Sequence, residues 1–326
     1  MRGKLRHITF MLLAILMLQG CIHDYPHDGG IDPTMVELRV DLSLNLSWQQ
    51  FAEAAVFDTR ARNEGSHRIV TEIMRKGEVI GRSETYLSDE EFELGKATIP
   101  LSFRLHALEY QLAVWYDRNP GNQEEAAYHS DRLSSIEQKN FPLEWTPSLS
   151  CGYASCIIDL TPLRGKWGAR ITKELDLLHS GARFELVTTD FQEFIENQRV
   201  ALLQGETYSL TISVHSAVAD SFDAYSGNSL ALKEEKESIK TLTLPFTQSD
   251  MVTIADGFLF CEEDDNASMK LIVHNSARAI VVQTPWFRFP VKRGSITRVY
   301  GDFLSNFFKG SISIDNIWEG EIEIEV

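Results

Sequence analysis

The residue with the clearest chemistry in this 326-residue sequence is Cys21. Its thiol follows Leu18-Gln19-Gly20, after a positive stretch carrying Arg2, Lys4 and Arg6 and an apolar run from Ile8 to Leu18 broken only by Thr9. That run is too short to cross a bilayer as a permanent helix, which needs about 20 apolar residues, and it has the layout of a secretory signal. An ordinary signal closes on small residues at the −3 and −1 positions. Here Leu, Gly and then Cys close it, the pattern read by lipoprotein signal peptidase. The chemistry expected is a thioether between Cys21 and diacylglycerol, followed by acylation of the freed amine. Two or three chains hold a protein at a membrane, since each buried CH₂ contributes about 0.8 kcal/mol. Residues 1–20 are therefore read as a signal peptide and 21–34 as a lipidated tether, with Pro26, Gly29, Gly30 and Pro33 arguing against regular structure.

Other reactive residues point to no chemistry of their own. His23 and His27 stand four apart, but Pro26 prevents the helix that would aim both at one metal. After the signal, Cys151, Cys156 and Cys261 remain, an odd number that excludes a complete disulfide framework. Cys151 and Cys156 could close a small loop or stay reduced as small hydrophobes, the reading favoured here. A zinc site would need further ligands, and no second cysteine pair exists. Glu262-Glu-Asp-Asp-Asn266 lacks the alternate-ligand spacing and central glycine of a calcium loop, and reads as a solvated hairpin turn. Asp117, Asn119 and Asn122 read the same way. There is no nucleophile elbow, phosphate-binding loop, dinucleotide-binding glycine pattern or His-Glu-x-x-His, so neither an enzyme nor a cofactor is expected.

Composition narrows the partners. The formal net charge is −16, and loss of the three basic residues of the signal makes the mature chain more acidic still. Such a chain repels nucleic acid and anionic head groups, so attachment to a membrane is expected from the lipid rather than from a basic patch.

The elements that must carry these residues read as strands. Val36 to Trp48 alternates apolar and polar residues, the period of a strand with one buried face. Shorter runs of this kind follow at 68–75, 97–104, 109–115, 156–160, 169–177 and 183–188. A second series lies at 207–215, 239–244, 253–261, 269–274, 279–283, 297–303, 310–314 and 321–326. Gly165, Gly205 and the stretch from Asp117 to Asn122 give turn signals. Helix signal is confined to Asp190–Asn197, with Asp190 as the cap, and a short turn at Asp131–Glu137. Many short strands without βαβ alternation predict an all-β protein of two tandem antiparallel β-sandwiches with few short helices. The expected domains are 35–165 and 166–326.

The last segment, Gly320-Glu-Ile-Glu-Ile-Glu-Val326, puts Ile322, Ile324 and Val326 on one face and three glutamates on the other. Such a strand can pair at home or be lent to a neighbour's sheet, where main-chain bonds supply affinity and alternate side chains supply specificity.

At the C-terminal third the residues form a familiar order. Pro290-Val-Lys-Arg293, Thr297, Gly301-Asp-Phe-Leu304, Gly310-Ser-Ile-Ser-Ile-Asp315 and Gly320 resemble the closing segment of the FimB-type fimbrial anchor lipoproteins of Bacteroidales. Leu112-Ala-Val-Trp-Tyr-Asp117, Tyr128, Leu133-Ser-Ser-Ile136, Asp159-Leu-Thr-Pro162 with Trp167, and Thr189-Asp190-Phe191 with Phe194 are similar to the same family. The resemblance covers nearly the whole mature chain and is carried by order and spacing. It implies two transthyretin-like sandwiches and an outer-membrane, surface-exposed lipoprotein associated with fimbriae assembled by strand exchange. It also implies that a stalk-type cut at Arg60 or Arg62 would remove the first strand.

Two functions from different classes follow. The first is a fimbrial anchor or accessory subunit held by lipid on Cys21. It would join partner pilin subunits through residues 310–326, with Ile312, Ile314, Ile322, Ile324 and Val326 as contacts. The alternative is a surface lipoprotein that binds glycans on aromatic side chains. For that reading Trp48, Trp115 and Tyr208 fall on strand faces, whereas Trp145 and Trp318 are the candidates for exposure.

Overall fold

The structure is a computed structural model that describes residues 34–44, 66–119, 126–139, 149–214, 219–231, 236–242, 249, 251–262, 264–305, 310–316 and 320–325. Cys21, Trp48, Arg60, Arg62, Asn122, Trp145, Trp318 and Val326 lie outside the described residues.

The first ten strands are β1 (Val36–Ser43), β2 (Ser66–Arg75), β3 (Glu78–Leu87), β4 (Lys96–Leu105), β5 (Glu109–Asn119), β6 (Tyr128–His129), β7 (Ile136–Gln138), β8 (Cys151–Asp159), β9 (Arg170–Asp176) and β10 (Leu178–His179). The remainder are β11 (Gly181–Thr188), β12 (Tyr208–Val214), β13 (Ala219–Asp223), β14 (Asn228–Ala231), β15 (Lys236–Leu242), β16 (Val252–Phe260), β17 (Asp264–Asn275), β18 (Ile280–Gln283), β19 (Phe287–Lys292), β20 (Ile296–Gly301), β21 (Gly310–Asn316) and β22 (Gly320–Glu325). Among the described residues three short α-helices accompany them: α1 (Asp89–Glu93), α2 (Phe191–Asn197) and α3 (Arg199–Leu203). The chain is all-β, as the strand periodicity predicts.

In the first sandwich a sheet of order β4-β1-β9 faces a sheet of order β10-β8-β5-β2-β3. The alternation of β1 is realised: Val36, Leu38, Val40 and Leu42 are buried and pack in one core with Ile69, Leu112, Val114 and Ile158. In the second sandwich a nine-stranded sheet runs β22-β21-β20-β11-β16-β13-β7-β6, with β14 on β13. It faces β15-β12-β17-β18, with β19 on β17. Phe184, Leu186, Leu210, Ile212, Leu271, Phe289 and Val299 fill the space between.

Several expectations change. The sandwiches are not purely antiparallel: β1 pairs parallel with β9, and β11 pairs parallel with β20. Each parallel pair is joined through most of its own sandwich, a connection long enough for the crossover that parallel pairing needs. Residues 131–135 form turns that lead into β7 rather than a helix. β19 escapes the strand pattern because Pro290 interrupts it, and the proline is accommodated opposite Asn266 of β17. β3 escapes because both of its faces are largely exposed. β9 and β10 pair with β1 and β8, strands of the first sandwich.

The two sandwiches share a third core. Val70, Ala113, Trp115, Cys151 and Tyr153 lie on the outer face of β2, β5 and β8 and meet Phe222, Phe258 and Phe260 of the nine-stranded sheet. Tyr128, Leu133 and Ile136 join them, because β7 leaves the first half of the chain and pairs with β13. Trp115 is fully buried, with ring centroids 5.5 Å from Tyr128, 6.1 Å from Phe222 and 6.2 Å from Phe260.

Polar side chains close the rim. Arg68 grips Asp117 through two bonds of 2.9 and 2.6 Å and donates to Ser130 Oγ at 2.8 Å. Asp117 also accepts from Trp115 Nε1 at 3.0 Å, so it is a buried structural anion and not a solvated turn residue. Glu72, buried, pairs with Arg82 and accepts from the Leu133 amide at 3.1 Å and Tyr225 Oη at 3.3 Å. Arg293 donates to Tyr153 Oη at 2.7 Å, Gly227 O at 2.8 Å and Cys261 O at 2.9 Å, tying three segments together.

A junction of this size couples the two sandwiches. We expect a single calorimetric unfolding transition, with Trp115→Ala or Phe222→Ala costing about 3–5 kcal/mol. Two separate transitions in the unaltered chain would refute the coupling.

Candidate functional site

The predicted partner-binding isoleucines come together at one edge of the nine-stranded sheet. β20 lies between β11 and β21, and β21 pairs antiparallel with β22. Main-chain register carries two rows across to the edge. In the first, Ala255, Leu186, Val299, Ile312 and Ile324 stand opposite one another in turn. Leu186 and Val299 of this row are core residues, so register assigns Ile312 and Ile324 to the core-side face. Ile314 pairs with Thr297 and Ile322 on that same face. In the second row, Asp256, Glu185, Arg298, Ser313 and Glu323 follow one another on the opposite face. Arg298 Nε donates to Glu185 at 2.8 Å, and Arg183 pairs with both Glu185 and Asp256.

Among the described residues β22 pairs with β21 alone, which leaves one row of its main-chain groups along the sheet edge. The strand thus pairs at home, with a free outer side. Its sequence alternates glutamate with isoleucine, a pattern that discourages indiscriminate strand addition. The base of the hairpin is fixed by Asp190. It occupies the N-cap position before α2, as predicted, but its side chain makes no cap bond. Its carboxylate instead accepts from the Leu304 amide at 3.1 and 3.2 Å, and Thr189 Oγ1 donates to Asp302 at 2.6 Å. These bonds hold the end of β20 against the end of β11, where the chain departs for β21.

The other candidates separate clearly. All three described cysteines are free. Cys151 and Cys156 are five apart on one strand, so they point to opposite faces. Cys151 lies in the shared core and Cys156 packs against the core of the first sandwich. Burial pushes the Cys151 thiol up to about 12, which makes it unreactive. Among the described residues no group of three or more His, Cys, Asp or Glu could hold a metal. Of the aromatic residues considered for sugar stacking, Trp115 and Tyr208 are buried. The described residues contain no helix long and apolar enough to cross a membrane.

Sequence reading missed the buried ionic groups, because their partners stand 49 residues apart for Arg68 and Asp117 and 140 apart for Arg293 and Tyr153. It also missed two histidines. His67 stacks on Phe92 at 3.9 Å, accepts from Tyr116 Oη at 2.6 Å and donates to Asp89 at 2.9 Å. Burial, then the Arg118 guanidinium, lowers it to about 4, so the Asp89 contact is a hydrogen bond of a neutral ring. His179 lies against Gly294 and is lowered to about 3 by burial and then by Arg293.

Both histidines refuse a proton that the unfolded chain accepts below about 6.5. Stability is therefore full above that value and falls as pH drops towards 4. Between pH 6.5 and 5, above the range of ordinary carboxylates, the melting temperature should decline. His179→Gln should flatten that limb, and an unchanged slope would refute the assignment.

The chain belongs to a family described as a family of unknown function, DUF6562, which matches residues 33–326. No curated protein matches the chain. Among solved structures, one from Parabacteroides distasonis named for a proposed role in cell adhesion is 10% identical, with a TM-score of 0.48, covering 87% of this chain and 98% of its own. The fimbrial anchor protein Mfa2 from Porphyromonas gingivalis is 11% identical, with a TM-score of 0.45, and the match covers 86% of this chain and 97% of that one. A fimbrial assembly protein from Parabacteroides distasonis is 13% identical, with a TM-score of 0.37, and the match covers 89% and 99%. At these identities and scores the likeness concerns the course of the chain alone.

Proposed function

We propose that this chain is a lipid-anchored, surface-exposed fimbrial subunit, an anchor or accessory component, that joins a partner pilin along the β21–β22 edge. Its lipid sits on Cys21 and places it in the outer membrane. The observation that carries the reading is the position of β22. It is the outermost strand of the nine-stranded sheet, with one side paired and the register of its isoleucines and glutamates continued from the core.

A partner strand laid along Gly320–Glu325 would extend the sheet. Main-chain bonds would supply affinity, and the Ile322/Ile324 and glutamate rows would supply two chemically distinct faces. The lipobox and the FimB-type order of motifs support the cellular setting. A chain that carries load between a membrane and a filament needs its two ends joined by a stiff body. The shared aromatic core between the sandwiches meets that need.

Photo-crosslinkers at Glu323 and Glu325 in intact cells should capture a pilin subunit. Deleting 321–326 should release fimbriae from cells while the protein stays folded and in the membrane fraction. Retained fimbriae, or crosslinks confined to this chain, would overturn the proposal. Cys21→Ala should move the protein out of the membrane fraction, and unchanged membrane retention would refute lipid attachment there.

A further inference from the structure

One end of the first sandwich departs from the acidic character of the chain. β1 begins there after Thr34, β4 ends there at Leu105, and the loop 164–169 leads there into β9. The Ala169 carbonyl accepts from the Glu37 amide at 2.9 Å, so this loop is fastened beside the start of β1. Register brings the start of β5, the end of β8 and the β2–β3 turn to the same end, because Glu109 pairs with Asp159 and Met74 with Gln111.

This end gathers Arg75, Lys76, Arg104, Arg164, Lys166 and Arg170. Its carboxylates are Glu37, Glu78, Glu109 and Asp159. Glu37 is engaged by Arg39 at 3.1 Å and Arg170 at 3.0 Å, and Asp159 is turned onto the Thr161 amide and hydroxyl. Arg164 and Lys166 lie exposed beside a shallow depression lined by Thr34, His106, Leu108, Arg164 and Gly165. The local balance is positive in a chain whose net charge is −16.

Large apolar side chains stand exposed at the same end. Trp167 is 67% exposed between these cations, and Ile157 is 65% exposed. Val79 and Ile80 are half exposed just after the β2–β3 turn. Aromatic rings flanked by cations suit the head-group layer of a membrane. The ring sits at the apolar boundary, and each Arg or Lys near an anionic surface contributes about 1 kcal/mol. Chain length fits as well: the twelve residues between Cys21 and Thr34 span at most about 40 Å even when fully extended.

We propose that this end is a lipid-facing surface, with Trp167 seated among head groups and Arg164 and Lys166 on anionic lipid phosphates. The orientation rests on the lipidation of Cys21 proposed above, whereas the composition of the surface does not. A body docked in this way would stand on the bilayer in a fixed pose, and the opposite sandwich would be presented outwards.

The test holds the mature chain by an N-terminal His tag on nickel-lipid vesicles of phosphatidylcholine with phosphatidylglycerol, whether or not Cys21 is acylated. Brominated phosphatidylcholine should quench a component of tryptophan fluorescence that Trp167→Phe abolishes. The double variant Arg164→Glu/Lys166→Glu should weaken that component severalfold, as should high salt or omission of phosphatidylglycerol. Equal quenching in the unaltered chain and Trp167→Phe would overturn the proposal, as would indifference to charge. Flotation of the untagged, cell-derived chain with the same vesicles reports on Cys21 separately, so the two readings fail independently.

Discussion

The rest of the structure depends on the apolar contact between the two sandwiches. It requires β5 to be apolar on both faces. Leu112, Val114 and Tyr116 face the first core while Ala113 and Trp115 face the shared one. That double demand explains why Leu112–Tyr116 is a continuous hydrophobic run in an otherwise alternating sequence. A strand buried on both sides has no solvated face to alternate with. It also explains why charged residues lie so deep. Arg68, Glu72 and Asp117 sit where a sheet face passes from one core to the rim of the next, and each is buried. Unpaired, any of them would cost several kcal/mol, so their mutual bonds are a condition of closing the junction rather than an addition to it.

The junction also fixes what lies over the outer face of the first sandwich. It covers the outer face of β2, β5 and β8 near the middle of the molecule, and the β6–β7 hairpin occupies one end of the nine-stranded sheet. Among the described residues β3 and β22 are each the outermost strand of their sheet. Along β3, Glu78 and Glu84 are exposed and Arg82 is half-buried. Charge on an edge strand discourages indiscriminate strand addition.

Legibility from sequence followed the same geometry. Strands with one solvated face were readable. The alternation at Val36–Leu42 specifies the buried face of β1, and Glu321–Glu325 specifies the two faces of β22. Strands that break the rule were not. β3 is exposed on both faces, and β19 contains Pro290. The direction of pairing was also hidden, because a period of two is the same for parallel and antiparallel neighbours. For the candidate site, sequence could gather Ile312, Ile314, Ile322 and Ile324 because they are local to one hairpin. It could not gather Arg293, Tyr153 and Gly227, or Arg164 with Thr34 and His106, because those neighbours exist only after the chain has folded.

Net charge shows the same limit. A value of −16 for the whole chain argues against attraction to an anionic surface. Electrostatic interaction in salt is local, however, since the screening length is about 8 Å at physiological ionic strength. Carboxylates beyond that range contribute little to the field at the end that carries Arg164 and Lys166. What a surface meets there is the balance of the groups within a few ångströms, and Glu37 and Asp159 are already engaged with Arg170 and Thr161. A chain can therefore be acidic as a whole, remain soluble through mutual repulsion, and still present one cationic, aromatic end. The sequence places residues 164–170 far from the start of β1 in order, and the parallel pairing of β9 with β1 brings them beside it.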